Sequence, residues 1–258
     1  MEISRCALCI GHPGHELRVF DWMRKNTPLV DVITDGSGPN RESRFASTRN
    51  LIEGAGGRLG KLQGAYSDRR FYEMVSEGNP APFVALARGF ASSWEEADID
   101  TVAGDMVEGF SITHDLCRAM INAAVEKLRR RGRSLRNLAF ALESMPAPSQ
   151  IPGEVVLRLN DEEFAAKHAA AHLWYPELAG EVDRLISQYG EDAFRTEILT
   201  PVDPGPAATI WDSAEPPFYE TYGRKQVAAG HYKQILTHEA NLKPLAIALW
   251  EWAISDAD

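Results

Sequence analysis

The chain reads as an α/β fold, a three-layer sandwich around a mostly parallel, Rossmann-like sheet with a helical C-terminal extension. Three observations carry this. Short apolar runs of the buried-strand kind, Cys6–Ile10, Leu29–Thr34 and Leu138–Leu142, are separated by segments of helical periodicity. Strands that alternate with helices pair in parallel, because each crossover returns the chain to the same edge. The 258 residues are 44% hydrophobic and 25% charged, an ordinary supply for such a core.

The elements follow in order. Residues 5–10 form the first strand, ended by Gly11, and a helix runs over 15–25 after the His12–Glu16 turn. Leu29–Thr34 is the second strand, and Asp35-Gly36-Ser37-Gly38-Pro39-Asn40 is its loop. A helix over about 43–55 is stopped by Gly56-Gly57. Residues 68–77 and 81–97 read as helices, and Thr101–Gly104 as a short strand. His114 to Arg131 is a strong helix, apolar at Leu116, Met120, Ala123, Ala124 and Leu128, with Thr113 as N-cap. The cations of its last turn suit the negative end of the helix dipole and are not a nucleic-acid patch. After the strand at 138–142, Met145–Pro152 is a loop. A strand at 154–158, helices near 161–173 and 177–189, a Pro/Gly-rich segment at 201–217 and a final helix over about 224–252 complete the chain, with no internal repeat.

A net charge of −10 argues against a nucleic-acid partner. No stretch approaches the 18 apolar residues of a membrane span, and no charged segment followed by a long apolar run opens the chain; the expectation is a cytoplasmic protein. Cys6, Cys9 and Cys117 make no zinc framework and read as small buried hydrophobes in a reducing compartment.

The informative stretch is Gly11-His12-Pro13-Gly14-His15-Glu16. Two histidines three residues apart stand where a strand hands over to a helix, the edge at which open α/β folds place their sites. A catalytic zinc takes three protein ligands and keeps a fourth position for water. His12 and His15 offer two, and His114, in Ser111-Ile112-Thr113-His114-Asp115, offers the third from the same edge of the sheet.

The order strand, Gly-His-Pro-x-x-Glu, helix, strand, Thr-Asp-Gly, then Ser43-Arg44 and the later His114, resembles the PIG-L/LmbE family of zinc-dependent de-N-acetylases over roughly residues 5–145. The Tyr219–Gly223 and Gly230-His231-Tyr232 stretches resemble some members less specifically. The resemblance implies that His12, His15 and His114 ligate Zn2+ or another divalent metal, with His15 where the family has an aspartate. It makes Arg44 a substrate contact and matches Glu16 to the glutamate that ends the first motif. It implies an N-acetylated sugar or glycoconjugate as substrate, and a core over 1–150 whose pocket is covered by a largely helical 151–258 of the same domain.

Two positions depart from the family pattern. Gly14 stands where the family has its general base, and Ser111 where a histidine helps stabilise the oxyanion. The candidate replacement bases are Asp105, Glu108, Asp35 and Asp115. Alternatively, water on the metal, whose pKa can fall to about 7, reacts with a weaker or substrate-supplied base, or the site binds metal and ligand without hydrolysis. Ester cleavage at the same metal is a smaller possibility. Each carboxylate also has a plain reading: Asp35 in a turn, Asp115 at a helix N-terminus, Asp105 and Glu108 in solvated loops. Arg44 reads equally as a surface ion pair.

His168 and His172 are spaced i, i+4 on a helix, a spacing that can bind metal, but lack the zincin glutamate and read as structural or as a pocket wall. His231 and His238 read as packing or surface residues, the alternative being that His231 with Tyr232 leans over the site. There is no Gly-x-Gly-x-x-Gly phosphate loop after the first strand, no Walker sequence and no Gly-x-Ser-x-Gly elbow. A homo-oligomer is left open.

Overall fold

The computed structural model describes residues 5–38, 42–144, 147–149, 151–203, 205, 213 and 215–256. Its strands are β1 (Cys6–Ile10), β2 (Leu29–Thr34), β3 (Arg58–Tyr66), β4 (Thr101–Asp105), β5 (Arg136–Phe140), β6 (Val155–Arg158) and β7 (Thr196–Pro201). They form one sheet in the order β3-β2-β1-β4-β5-β7-β6. The first five are parallel, and β7 and β6 close the far edge antiparallel. The fold is therefore the mixed α/β, mostly parallel, Rossmann-like sheet that the alternating runs predict.

Alternation along the central strands divides the core in two. Ala7 and Cys9 of β1, Ile33 of β2 and Val102 of β4 face one layer, and Leu8, Ile10, Val30, Val32 and Ala103 face the other. The first layer holds α3 (Asp68–Glu77), α4 (Ala81–Glu96), α5 (Ile112–Arg130) and α10 (Lys243–Ile254). The second holds α1 (Phe20–Asn26), α2 (Phe45–Gly54), α6 (Asp161–Trp174), α7 (Pro176–Tyr189) and α8 (Glu191–Arg195).

Two features lock α5 against the sheet. A Cβ on Gly104 would stand 2.5 Å from the carbonyl oxygen of Cys9 and against Ile121, so only glycine lets β1, β4 and α5 approach this closely. Arg118 of α5 is buried and donates to the carbonyls of Asp105 (2.6 Å) and Leu138 (2.9 Å) and to Oδ1 of Asn137 (2.9 Å). One guanidinium fork thus ties α5 to the end of β4 and to β5.

The structure differs from the sequence reading at β3, β7, the final helix and the cap of α5. β3, with only Gly60 fully buried, is an edge strand whose glycines and charges hide its character. β7 was not expected; it ends in a proline and lies between β5 and β6, pairing antiparallel with both. The long final helix is broken: α9 (Phe218–Ala228) stops before Gly230 at φ +76°, and a π turn over His238–Leu242 leads into α10. The cap of α5 is Ser111, whose hydroxyl accepts from the Thr113 N–H at 3.3 Å, not Thr113. Most of the Pro/Gly-rich 201–217 segment, and Met145, Pro146 and Gln150 of the earlier loop, lie outside the described residues. Among the described residues no helix is long and apolar enough to cross a membrane.

Candidate metal centre

From β1 the chain winds outward through β2 and β3 on one side and through β4 and β5 on the other. The crevice beyond the C-terminal ends of β1 and β4 is therefore the topological switch point, where folds of this class bind ligands. His12 and His15 follow β1, Asp105 ends β4, and His114 lies in the first turn of α5. The structure brings the three histidines together there. Ring centroids are 5.3 Å apart for His12 and His15, 5.2 Å for His12 and His114, and 4.5 Å for His15 and His114.

The turn is held by its own backbone. The Gly11 N–H donates to Asp105 Oδ2 at 2.8 Å, and the Thr34 hydroxyl and N–H both donate to the Gly11 carbonyl at 3.0 Å. His12 Nδ1 lies 2.9 Å from Oδ1 of Asp68 and 2.7 Å from the Thr34 hydroxyl. His15 Nδ1 lies 3.0 Å from both carboxylate oxygens of Asp105. Carboxylates only accept, so both rings carry their proton on Nδ1 and present the Nε2 lone pair, the arrangement of metal-ligating histidines backed by an acid. His114 Nδ1 is buried without a hydrogen-bond partner.

Electrostatics keep the ring nitrogens available. Burial lowers the pKa of His12, aided by His15 and opposed by Asp68. Burial, with His15 and His12 nearby, lowers that of His114 well below the ordinary value. Burial works against the charge of Asp68, but His12, Thr34 and the Gly38 N–H outweigh it and hold its carboxyl well below the usual range. The rings meet edge to face, and their nitrogens do not all lie within 4.8 Å of one another.

Glu16 is fully buried, accepts from the Gly14 N–H at 2.9 Å and from the Tyr175 hydroxyl, and so shapes the turn from below. Gly14 itself has φ +107°. A Cβ there would stand 2.7 Å from Cδ1 of Leu178, on α7.

The carboxylates near the turn have other partners. Asp35 Oδ1 accepts from the Ser37 N–H at 2.9 Å. Glu108 accepts from the N–H groups of Leu142 (2.6 Å), Glu143 and Ser144 and from the Ser144 hydroxyl, pinning the segment after β5. Asp115 Oδ1 accepts from the Glu108 and Gly109 N–H groups at 3.1 and 3.3 Å; its buried Oδ2 has no partner, and burial pushes its pKa to about 7. Arg44 donates through Nε to the Gly36 carbonyl at 2.8 Å, and a Cβ on Gly36 would meet both that nitrogen and the Pro13 ring. Arg44 therefore packs beside the histidine turn.

Outward from His114 runs a row of stacked, solvent-facing aromatics. Phe110 lies 6.3 Å from His114, Phe218 4.8 Å from Phe110 and Tyr222 5.8 Å from Phe218, with interplanar angles of 28°, 2° and 23°. Tyr232 abuts Tyr222 edge-on. His231 is exposed, and the N–H of buried His238 donates to Glu220 at 2.7 Å.

Sequence reasoning missed Asp68, Tyr175 and Leu178. Asp68 follows the cap Ser67 at the start of α3 and looks like any first-turn acid; nothing local says that it reaches His12.

Solved structures that share this fold include two deacetylases. An A40926 pseudoaglycone deacetylase is 16% identical, with 79% of this chain and 98% of that one covered and a TM-score of 0.50. A triple mutant of a deacetylase involved in the teicoplanin biosynthetic pathway is 11% identical, with 78% and 100% covered and a TM-score of 0.50. No family model and no curated protein matches the chain.

Proposed function

We propose that the chain is a divergent zinc-dependent amidohydrolase that removes the N-acetyl group from an N-acetylated sugar or glycoconjugate. His12, His15 and His114 would hold the ion. The observation that carries this reading is the meeting of three imidazoles at the switch point, two of them with Nδ1 on the carboxylates of Asp68 and Asp105. The donor set fits: neutral nitrogens suit zinc, and the unpartnered Nδ1 of His114 lies in the same cluster. When bound, zinc supplies Lewis acidity toward an amide carbonyl and makes water more acidic.

The chain's own residues do the rest. Asp105 and Asp68 orient His15 and His12. Glu16 and Tyr175 hold the turn. Among the four candidate bases, Asp105 touches His15, and Asp115 stands next to His114 in the chain with its Oδ2 unpartnered. The aromatic row from Phe110 to Tyr222 gives the apolar face of a sugar or aryl group a surface beside His114, and Arg44 packs beside the turn near Pro13. In this reading 151–258 belongs to the same domain as 1–150 and covers the site through Leu178 and Phe218. The fold shared with two deacetylases supports the reaction class.

A second reading is favoured by one observation: Leu178 stands over Gly14, where the family resemblance would place a base. It is a protein that binds metal and glycoconjugate without hydrolysis.

The test is metal analysis of tag-free protein with amine release from N-acetylated glycosides and glycopeptides. The hydrolase reading expects turnover that is lost, with one equivalent of metal, in His12→Ala and His114→Ala, and a raised KM in Phe218→Ala. Metal loss in both variants with no turnover by any metal form leaves the binding protein. Unchanged metal content in both histidine variants overturns the site.

A further inference from the structure

A second group of metal-ligating side chains stands on the outer helical layer. His168 and His172 are one turn apart on α6, and Asp183 reaches across from α7. Both imidazoles place Nε2 at 3.1 Å from the same carboxylate oxygen, Oδ1 of Asp183. Among the described residues this is the group in which one ligand atom from each of three residues lies within 4.8 Å of the others.

The spacing is that of ligands around a small ion. Zinc binds imidazole nitrogen and carboxylate oxygen at about 2.0–2.2 Å, which puts tetrahedral donors about 3.3–3.5 Å apart. The two observed nitrogen–oxygen separations of 3.1 Å are close to that edge, and the third pair of donor atoms lies within 4.8 Å, so side-chain shifts can bring all three onto one ion. The rings are 4.5 Å apart and tilted by 47°, and the Phe164 ring backs His168 at 6.2 Å. All three residues are partly open to solvent, which provides an entry path and a place for water as fourth ligand.

We propose that His168, His172 and Asp183 form a second metal site, distinct from the histidine centre, for a late first-row divalent cation of the zinc class. Two imidazoles and one carboxylate select such ions over Mg2+ and Ca2+, which take oxygen donors. The ion staples α6 to α7. The corner between these helices carries Tyr175, bonded to Glu16, and the next turn carries Leu178, seated over Gly14. The staple therefore stiffens the hairpin that shapes the floor and edge of the His12–His15 turn.

The experiment is Zn2+ titration of tag-free, metal-stripped protein by calorimetry, with stoichiometry read on wild type, His12→Ala, His168→Gln/His172→Gln and Asp183→Asn. The proposal expects the double variant to bind one equivalent fewer than wild type, Asp183→Asn to bind that equivalent at least tenfold more weakly, and His12→Ala to retain it. Thermal denaturation with and without Zn2+ checks that the variants are folded, and the zinc-dependent rise in Tm should shrink in the double variant. Equal stoichiometry and affinity in wild type and the folded double variant overturn the proposal, as does displacement of this equivalent by equimolar Mg2+. Failure of the histidine-centre reading is separately visible, as a wild type that binds only the equivalent lost in the double variant.

Discussion

Asp105 faces His15 with both carboxylate oxygens at 3.0 Å from Nδ1, and one of them also takes the Gly11 N–H at 2.8 Å. A single buried side chain at the end of β4 therefore fixes both the start of the histidine turn and the tautomer of its second imidazole. Asp105→Asn keeps the size and an acceptor for Gly11 but removes the charge that makes His15 a strong donor. Removal of such a backing acid typically weakens metal binding 10–100-fold. The same loss is expected for Asp68→Asn through His12. Competition against a chromophoric chelator measures it. Wild-type affinity in both variants would show that the acids do not act through bound metal.

Leu178 and Gly14 set the second expectation. At φ +107° any residue other than glycine is strained, and Cδ1 of Leu178 occupies the space a Cβ needs. Gly14→Asp is expected to lose about 1–3 kcal/mol of stability, the usual range for a side chain forced into such a backbone region. Leu178→Ala in the same background should recover the steric part and leave the backbone part. Urea denaturation of the two single variants and the double variant separates these contributions by a mutant cycle. Strict additivity of the two would mean that the side chains do not meet.

The strand–helix alternation made the parallel half of the sheet legible, because β1, β2, β4 and β5 are short, apolar and buried. β3 and β7 escaped for different reasons: β3 is an edge strand that buries little and is masked by Gly60 and Gly64, whereas β7 lies inside the sheet but offers only Ile198 and Leu199 as an apolar run before Thr200 and Pro201. The histidines were legible because His12, His15 and His114 flank strand ends, and the meeting at the switch point follows from topology. What backs them was not. Asp68 lies 56 residues from His12, and Tyr175 lies 159 residues from Glu16; contacts this remote depend on helix packing that no local pattern encodes. Asp105 was singled out as a possible base, and its observed contact is with the ring of His15.

Asp31 provides a stability probe away from the site. It sits in the buried strand β2, its Oδ1 accepts from the Leu62 N–H at 2.9 Å, and its Oδ2 has no partner. Burial pushes its pKa to about 6, with the Leu62 and Lys61 N–H groups pulling the other way. A carboxyl whose folded pKa lies above its unfolded value favours folding when protonated. That contribution is complete below about pH 4 and is lost as pH rises through about 6. Asp31→Asn stays neutral throughout, so its stability relative to wild type should improve by about 2–3 kcal/mol between pH 4 and pH 8, from a shift of roughly two pK units. Urea denaturation of both proteins at each pH reads the difference directly. A difference that stays flat from pH 4 to 8 would mean that Asp31 titrates alike in the folded and unfolded chain, and that β2 accommodates the charge without loss.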